Sequence, residues 1–542
     1  MSKTCANCKQ NFEIYPEDQE MYGRFGLPGQ GVPEPTWCPE CRMIRRMTFR
    51  NERALYKRKC DKCAKEKIFM YPADAPFPVY CYPCWWGDDW DAKTYARDYD
   101  FSKPFFEQFL DLRNIVPRCG IVRQGFSINS EYTNRVTDMK NSYLIFETTN
   151  AEDCRYGMGY DFSRNCMDCF TAQKSERCYE CIDVYQCSNL QYSQECIECS
   201  NSKYLYNCRN CSDCYGCVNV RNKSYCIYNE QFTPEQYKEE IKKFDIQRFE
   251  DLKKTLPVPA LVTHKSTNVS GNWIENSKNV FQSYNVLEVE DARYCYRVLY
   301  GKDLMDFGPW SGKSERVYEA INSGLQCADI KFVNECWSQL INAEYCFNCH
   351  SSQNLFGCNG LRKAEYCIFN KQYTPSEYAV QMSKIKHQMT NDKEYGEFFP
   401  MSLSPHAYNE SVAQQFFPLT KEQALAKGYR WRDEEKRTYQ IGGDVVACEH
   451  AGTCAQQCTT AFKMIPDELE FYKQFDIPLP KLCPNCRHFE RLAKRPPLKL
   501  YDRTCANCQK NIQTSYAPDS PRGEAGRPET VFCVECYQHE VV

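Results

Sequence analysis

Residues 153–226 read DCRYGMGYDFSRNCMDCFTAQKSERCYECIDVYQCSNLQYSQECIECSNSKYLYNCRNCSDCYGCVNVRNKSYC. The stretch is rich in cysteine, and several of its cysteines recur at one fixed interval, as in the series Cys166, Cys187 and Cys208. A fixed period of this length is the sequence signature of a repeat array. Because β-favouring Tyr, Val, Ile and Cys lie between Asn, Ser and Gly turns, the stretch predicts a parallel β-solenoid with about 21 residues per coil.

The cysteines of this stretch have two interpretations. Residues one coil apart stack in a solenoid, and Cys is small and often buried, so the first interpretation is packing of the core. The second is a metal or iron–sulfur site, because Cys208, Cys211, Cys214 and Cys217 form three overlapping CxxC turns. The same spacing also arises if every third residue of a coil faces inward. Packing is therefore preferred, and metal or redox use of these thiols is the alternative.

The solenoid is predicted to be duplicated. The segment SYCIYNEQFTPEQY (224–237) recurs later in the chain as EYCIFNKQYTPSEY (365–378). In the first copy Thr233 and Pro234 have the residue types that begin a helix, so a capping helix is expected after each copy. In the second copy Ser352 and Leu355 replace Cys211 and Cys214, which favours packing for most of these thiols. The predicted blocks, each with its capping helix, are residues 120–257 and 258–392.

Paired CxxC turns at both ends of the chain predict zinc ribbons. Each turn places two sulfurs on one side, and two turns complete a closed tetrahedral site. One double ribbon is expected at residues 1–90 and another at 448–542, with about four zinc ions per chain. The spacing of Cys454 and Cys458 departs from the others, so Cys448 or His450 can replace a ligand there. The predicted zinc ligands are Cys5, Cys8, Cys38, Cys41, Cys60, Cys63, Cys81, Cys84, Cys454, Cys458, Cys483, Cys486, Cys505, Cys508, Cys533 and Cys536.

A basic segment connects the two N-terminal ribbons. Residues 42–59 read RMIRRMTFRNERALYKRK, with eight basic residues and one acid. A basic helix beside a zinc knuckle could contact nucleic-acid phosphates. The other interpretation is a solvated helix face. The candidate nucleic-acid contacts are Arg42, Arg45, Arg46, Arg50, Arg53, Lys57 and Arg58.

Length and composition limit the class of protein. A chain of 542 residues is too long for one core, and linkers are expected at 91–119, which contains a helix, and at 393–447. The net charge of −3 argues against a wholly basic nucleic-acid binder. The sequence shows no apolar run typical of a membrane span and no secretory signal. The 38 cysteines therefore predict a reducing, cytoplasmic environment.

Two resemblances support this outline. The segments CPECRMIRR and CPNCRHFERL resemble the short zinc-ribbon domains found in many bacterial proteins. The whole layout is similar to large, uncharacterised, cysteine-rich zinc-ribbon repeat proteins of candidate-phylum bacteria. The second resemblance is carried by RNERALYKRKC, VYCYPCWWGDDWDA, YLYNCRNCSDCYGC, YCIYNEQFTPEQY and the ending TSYAPDSPRGEAGRPETVFCVECYQHEVV. It implies a cytosolic, zinc-bearing bacterial protein and no particular activity.

Three functions are compatible with these features. The preferred one is a non-enzymatic scaffold or adaptor for a macromolecular partner, either a protein or RNA, with the ribosome and the transcription machinery as candidates by analogy with other ribbons. The alternative is a Cys-rich redox or metal-handling protein that uses the solenoid thiols. A flexible metal store fits the regular spacing and the 14% aromatic content less well. An enzyme is not favoured, because the sequence contains no Gly-rich phosphate loop, HExxH motif or nucleophile elbow.

Overall fold

The repeat region forms two stacks of parallel strands, one for each sequence copy. In the computed structural model the described residues are 1–25, 31–336, 338–433, 439–518 and 530–541. The architecture is mainly β, with short helices and cysteine clusters towards both ends, so the predicted fold class is confirmed. In the parts of the chain that the structure describes, no helix combines the length and the apolar character needed to cross a membrane.

The N-terminal ribbons consist of short hairpins and helices. The hairpins are antiparallel, and their turns carry the Cys5–Cys8 and Cys60–Cys63 pairs. The elements are β1 (Ser2–Thr4), β2 (Asn11–Glu13), α1 (Pro16–Arg24), α2 (Pro39–Thr48), β3 (Tyr56–Lys59), β4 (Glu66–Phe69), β5 (Val79–Tyr80) and α3 (Tyr82–Trp86).

The first solenoid block follows a linker that contains the expected helix, α4. Its strands β7 to β12 form a six-stranded parallel sheet, and β7 lies at one edge. The elements are α4 (Phe105–Ile115), β6 (Arg118–Cys119), β7 (Arg123–Ile128), β8 (Asn134–Lys140), β9 (Tyr143–Glu152), β10 (Arg155–Met158), β11 (Phe170–Gln173), β12 (Ile182–Tyr185), β13 (Ser188–Gln191), β14 (Ser200–Lys203), β15 (Cys226–Ile227), β16 (Glu230–Gln231), α5 (Pro234–Glu240) and α6 (Ile246–Thr255).

The second block repeats this plan with longer strands. Its ten-stranded sheet runs in sequence order and ends in a hairpin before the capping helix α7, where Thr374 caps the helix. The elements are β17 (Val258–Pro259), β18 (Thr263–His264), β19 (Thr267–Glu275), β20 (Lys278–Arg293), β21 (Tyr296–Phe307), β22 (Ser314–Ile321), β23 (Ala328–Asn334), β24 (Leu340–Glu344), β25 (Ser352–Phe356), β26 (Glu365–Ile368), β27 (Lys371–Gln372) and α7 (Pro375–Asn391).

The C-terminal region ends in a second pair of ribbons with the same hairpin and helix order. Two short helices precede it in the 393–447 segment. The elements are α8 (Val412–Phe416), α9 (Lys421–Ala426), β28 (Val445–Ala447), β29 (Ala461–Lys463), α10 (Pro466–Gln474), α11 (Pro484–Ala493), β30 (Tyr501–Thr504), β31 (Asn511–Thr514), β32 (Val531–Phe532) and α12 (Val534–Val541).

The coils of the first block are shorter than the cysteine spacing predicts. Arg155 pairs with Tyr143, and Phe170 pairs with Ile182. Each of these pairs joins neighbouring coils, and side-chain bonds between neighbouring coils, such as the one from Cys187 to Ser175, also span 12 residues. The predicted coil of about 21 residues is therefore wrong. In the second block the separation between paired residues of neighbouring coils varies around 12 residues. Leu304, for example, pairs with Val317 at a slightly longer interval.

The cysteine spacing gave the wrong coil length because it follows a three-residue period and not the period of the coil. The cysteines of the first block all lie on one three-residue rhythm, so any two are separated by a multiple of three. The interval in the series Cys166, Cys187 and Cys208 is one such multiple and does not report the coil.

The three-residue rhythm comes from left-handed corners. In the first block a residue with positive φ recurs at every third position, as at Asp153, Tyr156, Phe162 and Asn165. Asn, Asp and Gly tolerate this conformation best, which explains their frequency at these corners. The residue after most corners points into the core, as Cys154 and Cys166 do.

Cysteine and serine suit the core because their side chains hydrogen bond to the backbone there. The backbone N–H of Cys187 points inward and donates to Ser175 Oγ at 3.1 Å, one coil earlier. The N–H of Cys181 donates in the same way to Cys169 Sγ at 3.4 Å. A buried N–H without an acceptor costs about 1–3 kcal/mol. A small side chain with an acceptor atom is therefore favoured at these inward positions.

The ribbons and the solenoid blocks are cross-connected. In the N-terminal half, β5 pairs with β6 at the start of the first block. In the C-terminal half, β32 pairs with β17 at the start of the second block. The helices α2 and α11 each pack on the other block. The helix α2 packs on β21 and β22 of the second block, and α11 packs on β10 and β11 of the first block. Each terminal double ribbon therefore holds both blocks.

Candidate metal centres and their docking helices

Four groups of four cysteines could each hold a metal ion. Within each group the sulfur atoms all lie within 4.8 Å of one another. Fifteen of the sixteen predicted ligands belong to these groups, and Cys448 takes the place predicted for Cys454. The groups are Cys5, Cys8, Cys38 and Cys41; Cys60, Cys63, Cys81 and Cys84; Cys448, Cys458, Cys483 and Cys486; and Cys505, Cys508, Cys533 and Cys536.

The four groups share one local geometry. In the first ribbon the backbone N–H of the third cysteine, Cys38, donates to the sulfur of the first, Cys5, at 3.2 Å. The same bond, also at 3.2 Å, joins Cys81 to Cys60, Cys483 to Cys448 and Cys533 to Cys505. In the first ribbon Cys38 is also the residue before α2, which begins with Pro39. The fourth cysteine therefore lies in the first turn of a helix, where the backbone dipoles favour a thiolate.

In each of the four groups one thiol has a lowered pKa, which favours the thiolate form that binds metal. Other thiols of the same groups, such as Cys38 and Cys84, have a raised pKa. Hydrogen bonding from Cys38 lowers the pKa of Cys41 to about 5. A backbone hydrogen bond from Lys65 lowers the pKa of Cys63 to about 7. A donor set of four thiols in two knuckles fits Zn²⁺ in a closed tetrahedral site.

The third ribbon contains two additional donors. Cys448 holds the position of the first cysteine, as its hydrogen bond from Cys483 shows. Cys454 Sγ lies 3.7 Å from Cys486 Sγ, and His450, Cys454 and Cys486 form a separate group within 4.8 Å. Irregular spacing in the sequence left both Cys448 and His450 open as ligands, but it did not indicate a second cluster.

The arginines of α2 are buried against the second block, and the prediction that they contact nucleic acid is wrong for these residues. Asp306 receives Arg42 Nη2 at 2.7 Å and Arg46 Nη1 at 3.0 Å. Arg45 Nη2 lies 2.8 Å from Glu319 Oε1. These side chains are at most 4% exposed. Asp306 is 264 and 260 residues away from its two arginines in the sequence. Patterns among neighbouring residues therefore could not predict this contact.

The remaining basic candidates are also engaged within the protein. Arg50 is fully buried beside Glu52. The Arg53 guanidinium lies 4.8 Å above the ring of Phe146, and it donates to Asn485 at 3.0 Å. Arg58 is buried and pairs with Asp61, while Lys57 is exposed and lies 2.8 Å from Glu66. Only Lys57 of the seven candidates presents an exposed cation to solvent.

The helix α11 of the C-terminal ribbons makes equivalent ion pairs on the first block. Arg487 Nη1 lies 2.8 Å and Arg491 Nη2 3.1 Å from the Asp168 carboxylate. Arg491 Nη1 also lies 2.6 Å from Glu180. In sequence, Met167-Asp168 matches Met305-Asp306 and Tyr179-Glu180 matches Tyr318-Glu319, while Arg487 and Arg491 match Arg42 and Arg46 in the two CPxCR helices. The duplicated chain thus contains two equivalent Arg–carboxylate clamps.

The helices before these clamps dock in an equivalent way. On α1, Asp18 accepts from Arg293 Nε at 2.5 Å and from Tyr294 OH at 2.9 Å. On α10, Glu468 accepts from Tyr156 OH at 2.5 Å. The aromatic and acidic residues between the CxxC turns therefore fix each ribbon to the opposite block.

The solenoid cysteines are arranged for packing. Among the described residues, no three of them bring their sulfurs within the 4.8 Å that defines the four ribbon groups. Burial raises the pKa of the Cys169 thiol to about 11. Burial also raises the pKa of Cys196 well above its usual range. Cys211 is an exception, because hydrogen bonds from Cys199 and neighbouring thiols hold its pKa down.

We expect these thiols to be unreactive in the native protein. At pH 7.5, alkylation of Cys169 by iodoacetamide should be at least about a hundredfold slower than in the urea-unfolded chain, because the thiolate is the reactive form and the core excludes the reagent. Peptide mass spectrometry of the zinc-loaded protein measures the rate at each cysteine. Rapid native labelling, at Cys211 in particular, would contradict the packing interpretation.

Comparisons with known proteins do not assign a family. No protein family and no curated protein matches the chain. One solved structure with a partial likeness is a protein from Desulfovibrio desulfuricans G20, provisionally described as an acetyltransferase. It shares 9% identity over 48% of this chain and 70% of that chain, with a TM-score of 0.10. A likeness at this TM-score carries no argument about fold or activity.

Proposed function

We propose that this protein is a non-enzymatic scaffold organised by structural zinc. The observation that carries the proposal is the position of the four closed cysteine groups, each beside a helix or strand that docks on a solenoid block. Four thiolates fill a tetrahedral zinc site and leave no position for water or substrate, which is typical of structural zinc. The ions would hold the ribbons folded, and the ribbons would hold the two blocks together.

The proposal includes a macromolecular partner, and a protein fits the available surface better than RNA. Five of the six arginines that supported RNA binding are buried in ion pairs, and the sixth, Arg53, is half-buried over the ring of Phe146. By contrast, β7 lies at the edge of its sheet, and its residues Phe126 and Ile128 are each about half exposed, at 50% and 51%. An exposed apolar edge strand can accept a strand from a partner chain. We place such a complex in a reducing, cytoplasmic setting, where unpaired cysteines persist.

Zinc content tests the proposal. Protein purified without oxygen should contain at least four zinc ions per chain and no iron, one ion for each ribbon group. Cys63→Ser should lose one ion, because it removes a ligand from the second group.

Cys187→Ser is the matched control. Ser175 and Ser163 already occupy the inward positions one and two coils before Cys187, so serine fits this column of the core. Its zinc content should equal that of the wild type by elemental mass spectrometry. A loss of metal in the control, or iron with absorbance near 400 nm, would favour the redox or metal-handling alternative.

A further inference from the structure

The third ribbon has more donors than one zinc ion requires. The segment between Cys448 and Cys458 is longer than the CxxC turns of the other ribbons and carries His450 and Cys454. Cys486 Sγ lies 3.5 Å from Cys483 Sγ, 3.9 Å from Cys448 Sγ and 3.7 Å from Cys454 Sγ. Cys486 is therefore common to two donor groups, the four-thiol group and the group with His450 and Cys454.

The imidazole of His450 is oriented for a ligand. Its Nδ1 atom is buried and makes no hydrogen bond. Its Nε2 atom faces the Glu490 carboxylate at 3.7 Å. A histidine that binds a metal through one nitrogen commonly directs the other to a carboxylate, which fixes the ring orientation. The free nitrogen of His450 thus has the environment of a metal ligand.

Cys454 supports the same assignment. Cys448 already completes the four-thiol group, so Cys454 is not needed there. Its sulfur nevertheless lies beside Cys486 and within 4.8 Å of the His450 donor atom. One imidazole and two thiolates are a donor set that Zn²⁺ prefers.

We propose that the third ribbon binds a second zinc ion through His450 Nδ1, Cys454 Sγ and a shared Cys486 Sγ. This inference rests on the proposed function, because it requires that the four-thiol group of the same ribbon holds zinc. With three protein ligands, the additional ion keeps an open fourth position, unlike the ions in the closed groups. Five thiolates and two divalent ions carry a net charge of −1, so the pair of sites is close to neutral. The additional ion is the one that a chelator should reach first.

Zinc stoichiometry of the full-length chain tests this site. Wild-type protein, equilibrated with a slight excess of Zn²⁺ under nitrogen and desalted, should contain five ions by native and elemental mass spectrometry. Cys454→Ser and His450→Ala should each contain four. A chromophoric zinc chelator should remove one ion from the wild type at least about tenfold faster than the other four, and this fast phase should be absent from both variants.

The outcomes separate this inference from the proposed function. Four ions in the wild type and four in Cys454→Ser would overturn the second site and leave the four structural sites intact. Four in the wild type and three in Cys454→Ser would make Cys454 an ordinary ligand of the closed group, which also overturns the inference. Five ions in all three proteins would place the fifth ion elsewhere. Fewer than four in the wild type would overturn the proposed function itself.

Discussion

Asp306→Asn is expected to lower the free energy of unfolding by about 3–5 kcal/mol. The carboxylate is fully buried and pairs with both Arg42 and Arg46. Asparagine keeps the shape and tolerates the left-handed backbone at this position, where φ is 51°. It removes only the charge, so Arg42 and Arg46 would have to share the carboxylate of Glu319 with Arg45. Urea unfolding in the presence of zinc and reductant measures the change.

Asp303→Asn is the matched control for this experiment. Asp303 lies on the same strand, β21, and also has a positive φ of 52°. Its partner Arg24 is 44% exposed, so we expect this substitution to cost less than about 1 kcal/mol. Asp168→Asn should resemble Asp306→Asn, because it disrupts the equivalent clamp on the first block. Equal, small effects of all three substitutions would show that the clamps do not stabilise the docking.

Removal of the proposed zinc ions is expected to unfold the ribbons while the solenoid blocks stay folded. Structural zinc contributes about 10–16 kcal/mol to the folding of small zinc-binding peptides, far more than the short hairpins here can replace. The ligand cysteines all lie at residues 5–84 and 448–536, outside the stacked strands of residues 123–372. Those strands bond to each other through the backbone, and most of their buried core comes from their own side chains.

Limited proteolysis with and without a strong chelator measures this separation. Cleavage after chelation should begin within residues 1–84 and 448–541, and fragments that contain the two blocks should persist. Far-UV circular dichroism should keep its β signal. Simultaneous loss of the ribbons and the blocks would mean that the solenoid depends on the folded ribbons.

The metal groups and the solenoid were accessible to sequence reasoning because both depend on local spacing. A CxxC turn brings two sulfurs together within four residues, so the ligands follow from position alone, apart from the third ribbon. Coil length did not follow, because Cys166, Cys187 and Cys208 report the three-residue corner rhythm and not the register between coils. A search for shorter intervals, such as the one from Cys154 to Cys166, would have revealed it.

The role of the basic residues required the tertiary structure. Composition made Arg42 to Arg58 a candidate phosphate-binding surface, but buried acids on β21 and β22 neutralise the arginines of α2. The one sequence signal was the duplication itself. The acids Asp168 and Glu180 recur as Asp306 and Glu319, just as the arginine pair recurs in the two CPxCR helices. When acids recur in both copies of one duplicated module and arginines recur in both copies of another, the pattern indicates that the two modules contact each other.

The crossed docking of the ribbons also sets the order in which the modules assemble during synthesis. Arg42 precedes its partner Asp306 by 264 residues. At about 5–20 residues per second, a ribosome takes roughly 13–53 s to make that interval. During this time α2 is outside the ribosome with its arginines in water and no surface on which to dock. The clamp made by α11 has no such delay, because Asp168 and Glu180 have left the ribosome long before Arg487 is added. The nascent chain therefore closes its first clamp only after Asp306 and Glu319 have emerged, and it closes the other once Arg487 and Arg491 have emerged.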